Sequence, residues 1–167
     1  MENDRIATQI LNAALGDEPV AKLNSNKQQE PGSADHWTQA VLLERGAYLR
    51  QLANAGNGEA SEVVRDYPQH RVILSFRSRN GEVEVHQKFA DLFLVISGAA
   101  TLVTGGTVVG GRQIGPGETR GDAIEDGHAQ ELRQGELIHV PAGTPHQFLV
   151  SADKTVTCVV LKIQESQ

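Results

Sequence analysis

The chain has 167 residues, enough for one domain with a substantial core, and sets 15 basic against 21 acidic side chains for a net charge of −6. That balance, without a basic patch, argues against nucleic acid or an anionic membrane as the main partner. A single cysteine, Cys158, leaves no intramolecular disulfide and too few thiolates for a cysteine-based zinc site.

The first elements are helical. Ile6, Ile10, Leu11 and Leu15 recur at helical spacing over Asn3–Leu15, and Gly16 follows as a C-terminal cap. The opening MENDRIATQILNAALGDE starts acidic and has no sustained apolar run, and no segment approaches the ~20 apolar residues of a membrane span. A soluble, cytoplasmic protein is the expectation. Residues 24–35, NSNKQQEPGSAD, read as a linker or surface loop. Asp35 is placed to cap a second helix running to about Ala55, with Val41, Tyr48, Leu49 and Leu52 as its apolar stripe and Gly46 as a weak point. Residues 1–60 form a helical extension and linker on this reading, and residues 61–167 a separate β domain.

From Arg71 the pattern becomes β. Arg71–Ser78 is β-branched and aromatic, and Arg79-Asn80-Gly81 supplies a turn. In the next strand Val83 and Val85 share one face while Glu84, His86 and Lys88 share the other. Leu92–Ile96 is apolar on both faces, as in a sandwiched strand. Gly105-Gly106 reads as a two-residue hairpin turn between Ala99–Thr104 and Thr107–Val109. Residues 110–128 are the longest irregular stretch, and short strands resume at about 129–133, 136–140, 146–151 and 155–163. Eight to nine short strands predict an all-β jelly roll or barrel.

Two segments carry chemistry-bearing residues at fixed spacing: Glu84-x-His86-x4-Asp91-x6-Gly98 and Gly135-Glu136-x4-Pro141-x-Gly143-x2-His146. Residues i and i+2 of a strand point the same way, so Glu84 and His86 can present an oxygen and a nitrogen to one point. Two imidazoles with one or two carboxylates suit a divalent transition metal: zinc, iron, manganese, nickel or copper. A two-His, one-carboxylate set with open positions would also suit an iron oxygenase. The pair of segments resembles the two motifs of the cupin superfamily, over about residues 71–163. The second motif matches almost fully. In the first, the Asp91–Gly98 interval sets the register, Glu84 stands where the family has its first His, and Asp91 where it has Glu. An alternative register makes His86 the first His and leaves Lys88 in place of the second.

The resemblance implies a double-stranded β-helix, the cupin jelly-roll barrel, behind an N-terminal α-helical extension, and a homodimer paired through its sheets. It implies His86, His146, Glu84 and Asp91 as metal ligands. Against it stands Lys88, whose ammonium on the face of His86 would oppose a cation unless it turns outward. His139 alternates with Leu137; pointing inward it would be a further ligand or a catalytic general acid or base, and otherwise a hydrogen-bonded histidine at the core edge. His36, His70 and His128 read as solvated surface residues. Cys158 reads as a small buried hydrophobe.

The glycine-rich stretch 105–121 has no phosphate-loop pattern and reads as a loop over one barrel end. Arg112 or Arg120 on it would either meet an anionic substrate or lie in solvent. The function expected is a metal-dependent enzyme acting on a small polar molecule by dioxygenase, isomerase or lyase chemistry. The alternative is a non-catalytic small-molecule binding or sensor module, with or without metal. A structural protein assembled through its helices is a third reading.

Overall fold

The computed structural model describes residues 34–165. The helix expected over Asn3–Leu15 lies outside them. Helix α1, Gln39–Ala55, begins where the Thr38 side chain accepts the Val41 N–H at 3.3 Å. The cap is therefore Thr38, and not Asp35. Asp35 instead accepts the Tyr67 hydroxyl and pairs with Arg65 at 3.0 Å, tying the chain ahead of the helix to the sheet.

The helix buries Arg45, Gly46, Leu49 and Ala53, whereas Val41 is exposed, so its inner stripe is rotated one residue from the expected one. Gly46 explains the rotation, because a Cβ there would meet the Thr157 methyl at 3.0 Å. The helix approaches the sheet most closely at the residue that looked like its weak point. Arg45, carried inside on the same face, is answered by Glu62 at 2.9 Å.

Twelve strands follow among the described residues. One antiparallel sheet runs β1 (Glu59–Asp66), β2 (His70–Arg77), β12 (Val156–Gln164), the first part of β4 (Phe89–Thr104) and β10 (Leu137–Val140). The second takes the last part of β4, flanked by β9 (His128–Arg133) and β11 (His146–Leu149). It continues through β3 (Val83–His86) and β7 (Glu118–Gly121) to β6 (Arg112–Gly115). The two sheets share the 16-residue β4 and close on a common interior, an all-β jelly roll with helix α1 packed outside.

The passage between sheets is made at Gly98. Thr157 pairs with Ser97 but Cys158 pairs with Val95, so Ile96 is an extra residue and β4 bulges. The parity of the strand then reverses: Phe93 and Val95 face the interior before the bulge, Ala100 and Leu102 after it. Gly98 has φ +78°, and a Cβ on it would lie 1.9 Å from the Thr155 carbonyl oxygen, so only glycine fits the crossing.

Each sheet face has its own core. Outside, Leu49 and Ala53 of the helix pack on Val64, Val72, Leu74 and Phe76. Inside, Phe93, Leu102, Leu132, Phe148 and Val160 fill the barrel.

Three expectations along the chain are corrected by pairing. Strand β1 lies ahead of the point where β patterning is evident in sequence. Gly105 and Gly106 do adopt positive φ, at +71° and +69°, but they do not join a hairpin. β5 (Thr107–Val109) pairs with β8 (Ala123–Glu125), while the end of β4 pairs with β9 and β11. Residues 110–128 are not irregular, for they hold β6, β7 and β8.

Candidate metal centre

Cross-strand register builds the site. In an antiparallel pair, directly opposed residues share a face. His146 on β11 opposes Glu84 on β3, and on the other side of β3 Glu84 opposes Arg120 while His86 opposes Glu118 on β7. In the facing sheet, Asp91 on β4 opposes Lys162 on β12. These pairs converge in the interior.

His86 Nε2 is 3.3 Å from Glu84 Oε2 and 3.4 Å from Asp91 Oδ2, and His146 Nε2 is 3.4 Å from the same Asp91 oxygen. Donor atoms of Glu84, His86 and His146 all lie within 4.8 Å of one another. The two imidazoles are 5.5 Å apart, and Phe93 stands edge-on to His146 at 5.9 Å. Asp91, His86 and His146 are buried; Glu84 keeps a quarter of its side-chain surface exposed, at 25%.

The second motif builds the turns and delivers one ligand. Gly135 sits at φ +89°, and the Glu136 carboxylate accepts the Arg133 N–H at 2.7 Å, closing the turn between β9 and β10. Gly143, at φ +76°, donates its N–H to the His86 carbonyl at 2.8 Å, which ties the turn before β11 to the end of β3. Of its residues only His146 reaches the centre. His139 lies exposed beside Leu137 on the outer face of β10, while Ile138 and Val140 turn inward. It therefore does not line the site, and the inward-facing histidine is not found.

The ring nitrogens are fixed from behind. His86 Nδ1 lies 2.5 Å from Glu118 Oε2, and His146 Nδ1 lies 3.1 Å from the Thr144 carbonyl oxygen. A carbonyl or a carboxylate can only accept, so each Nδ1 carries the hydrogen and each Nε2 is directed at the centre.

Charge is concentrated around these atoms. Glu84 is gripped by Arg77 at 3.1 Å and Arg120 at 3.3 Å. Burial alone would raise its pKa, but His86 and the two guanidiniums outweigh that and hold the carboxyl down to about 2. Burial likewise works against charge on Asp91, and is overcome by His146, Lys162 and His86, so that carboxyl lies below its usual range. His86 is raised: burial would lower it, but Glu84, Asp91 and Glu118 prevail over the opposing Lys162. A histidine ringed by carboxylates attracts either a proton or a metal cation.

The donor set fits a metal. Donors about 2.0–2.2 Å from a tetrahedrally bound ion lie roughly 3.3–3.6 Å apart; His86 with Glu84 and Asp91 with each histidine stand at 3.3, 3.4 and 3.4 Å, and the donors of Glu84, His86 and His146 lie within 4.8 Å of one another. One oxygen of Asp91, Oδ1, is buried with no hydrogen bond, 3.1 Å from the Lys162 ammonium. The ammonium to be reckoned with is thus Lys162. Lys88 is exposed in the turn after β3.

Several site residues were not legible in sequence. Arg77 and Lys162 read as parts of a β-branched strand and of the last strand. Glu118 falls in a stretch that reads as a loop, in which Arg120 is one of the two arginines expected to meet an anionic substrate or lie in solvent. Arg120 borders Glu84, while Arg112 is exposed on Glu82 and Asp122. The only available signal for Lys162 is parity: it continues the inward series Val156, Cys158 and Val160. His36, His70 and His128 are exposed, as expected.

No protein-family model matches the sequence, and no curated protein does. Solved structures do. A protein from Thermus thermophilus, TT1209, aligns over 74% of this chain and 95% of its own with TM-score 0.52 and 16% identity. The polyketide cyclase RemF from Streptomyces resistomycificus aligns over 65% of this chain and 66% of its own, with TM-score 0.47 and 18% identity. A cupin superfamily protein from Desulfitobacterium hafniense DCB-2 aligns over 66% and 81%, with TM-score 0.46 and 13% identity. At these identities the likeness is one of fold. The fold is an antiparallel jelly roll, with a His/Glu cluster in its interior.

Proposed function

We propose that this protein binds a divalent transition metal through His86, His146, Glu84 and Asp91, and acts there on a small polar molecule. The observation that carries the reading is the pair of Nδ1 contacts. Glu118 and the Thr144 carbonyl both orient an imidazole so that its Nε2 faces the same point, the arrangement by which proteins prepare histidine ligands.

A bound ion supplies Lewis-acid or redox chemistry of the kind dioxygenases, isomerases and lyases use, and the fold does not choose among them. The chain's own groups do the rest. Glu118 keeps the hydrogen of His86 on Nδ1. Arg77 and Arg120 keep Glu84 ionised. Phe93 and Phe148, 5.0 Å apart, keep one side of the centre dry. Pairing of two copies through their sheets belongs to the same reading, and sedimentation measures it.

One observation favours a second reading. Lys162 already supplies Asp91 with a cation, as in a binding module that works without metal. Metal analysis after supplementation with zinc, iron, manganese, nickel or copper separates the two. The metal reading expects one ion per chain in the wild type and none in His86→Ala or His146→Ala. Equal, negligible metal in all three sinks it. A loaded protein that binds its ligand and returns it unchanged, with and without oxygen, is a binding module.

A further inference from the structure

Glu84 borders three adjoining cavities, of about 140, 430 and 380 Å³. The first penetrates the barrel interior and has two unlike halves. One half holds Arg77, Glu84, Asp91, His146 and Lys162; the other is walled by Ile73, Phe93, Phe148 and Val160. Arg77 and Lys162 stand in different strands of one sheet, β2 and β12, and their side chains are only 18% and 21% exposed.

Both cations are currently answered by candidate metal donors: Arg77 by Glu84 at 3.1 Å, Lys162 by Asp91 at 3.1 Å. Arg77 has a second partner in the more exposed Glu59. The buried and part-buried charges at the centre balance, with Arg77, Arg120 and Lys162 against Glu84, Asp91 and Glu118. A divalent ion breaks that balance by two positive charges. It draws on the charge of Glu84 and Asp91, and so leaves Arg77 and Lys162 short of compensation in a place where burial makes uncompensated charge costly. The rim carboxylate Glu82 does not restore it, being engaged by Arg112.

We infer that the interior cavity takes a small organic acid, with its carboxylate between Arg77 and Lys162 and its apolar body against Ile73, Phe93 and Phe148. The guanidinium fork matches a planar carboxylate, and the ammonium adds a second, movable donor. A cavity near 140 Å³ is of the size that holds a benzene-sized body, about 150 Å³ in a well-studied engineered case. The inference rests on the metal reading, because a bound dication shares the charge of the two carboxylates that now answer Arg77 and Lys162.

The test uses the full chain loaded with Co²⁺, its loading checked by metal analysis, and titrated with benzoate, butyrate, benzamide and butyramide by calorimetry. Each acid is expected to bind at least tenfold more tightly than its amide, and at least tenfold more weakly to metal-free protein. Arg77→Met and Lys162→Met, each confirmed to be Co²⁺-loaded, are each expected to weaken benzoate at least tenfold while changing the affinity for uncharged benzamide by less than about threefold. A side chain that merely supports the site would weaken both when removed, so that result for either variant overturns the clamp. Acids and amides binding alike, or neither acid binding the loaded protein, overturns the inference and leaves the metal reading intact. Failure to load any metal removes the metal reading and this inference with it.

Discussion

The two walls around the candidate metal centre are built on opposite principles. The wall made by β3 and β7 is a ladder of charged cross-strand pairs, Glu84 with Arg120 and His86 with Glu118. The wall made by β12 and the start of β4 is apolar, carrying Phe93, Cys158 and Val160, until Lys162 and Asp91 close its end. Both walls follow the same period-two alternation; what differs is which residue type occupies the inward parity. The lesson is that an inward carboxylate persists only where the facing strand supplies a cation or an imidazole at the same level, whereas the apolar wall requires only volume.

The comparison breaks most severely if the apolar wall carries little energy. Phe93→Ala removes a buried ring packed on Phe148 and His146, and is expected to cost about 3–5 kcal/mol of stability in a denaturant titration. A loss below about 1 kcal/mol would show that the cavity is not held by packing.

On the charged wall, Glu118→Gln should leave the fold intact and lower metal affinity roughly 10–100-fold, the usual effect of losing a ligand's supporting carboxylate. Thr144→Ala is the matched control. It keeps the carbonyl that holds His146, so affinity for Co²⁺ is expected to stay within about threefold of wild type, well inside the loss a supporting group produces.

Between the walls, Gly143→Ala forces a Cβ into a positive-φ turn at a cost of about 1–2 kcal/mol. It should lower the midpoint of thermal unfolding and keep the metal stoichiometry.

The smallest effects sharpen the contrast. Burial pushes the Cys158 thiol up to about 12, against the weaker downward pull of Arg77. The native thiol should then stay unreactive to a disulfide reagent at pH 8 and react only on unfolding. The unfolded chain loses that proton near pH 8.5–9 while the folded chain keeps it, so this contribution to stability is complete below pH 8.5 and declines as pH rises toward 12. His139→Ala, on the outer face, is expected to change neither metal content nor stability by more than about 0.5 kcal/mol.

The legible part of the fold was the part written in local pattern. The turns at Arg79–Gly81 and Pro141–Pro145, the strands around them and the alternation of Glu84 with His86 all follow from neighbours in sequence. The short strands β6 to β8 were illegible because Gly110, Gly111, Gly115 and Gly117 dilute any apolar alternation, and their pairing is made by partners that are remote in sequence or lie across a bulge. Reading the helix stripe one residue off has a similar origin, since Thr157 chooses the contact with Gly46 from more than a hundred residues away.

Sequence alone determined the all-β character, the candidate ligands His86 and His146, and the positive φ of Gly105 and Gly106, because strand period and turn stereochemistry are local properties. Tertiary structure decided which side each strand shows. The bulge at Ile96 reverses the parity of β4, and pairing turns His139 outward while bringing Lys162 onto Asp91 and Glu118 onto His86. Register is a relation between strands, and no single strand contains it.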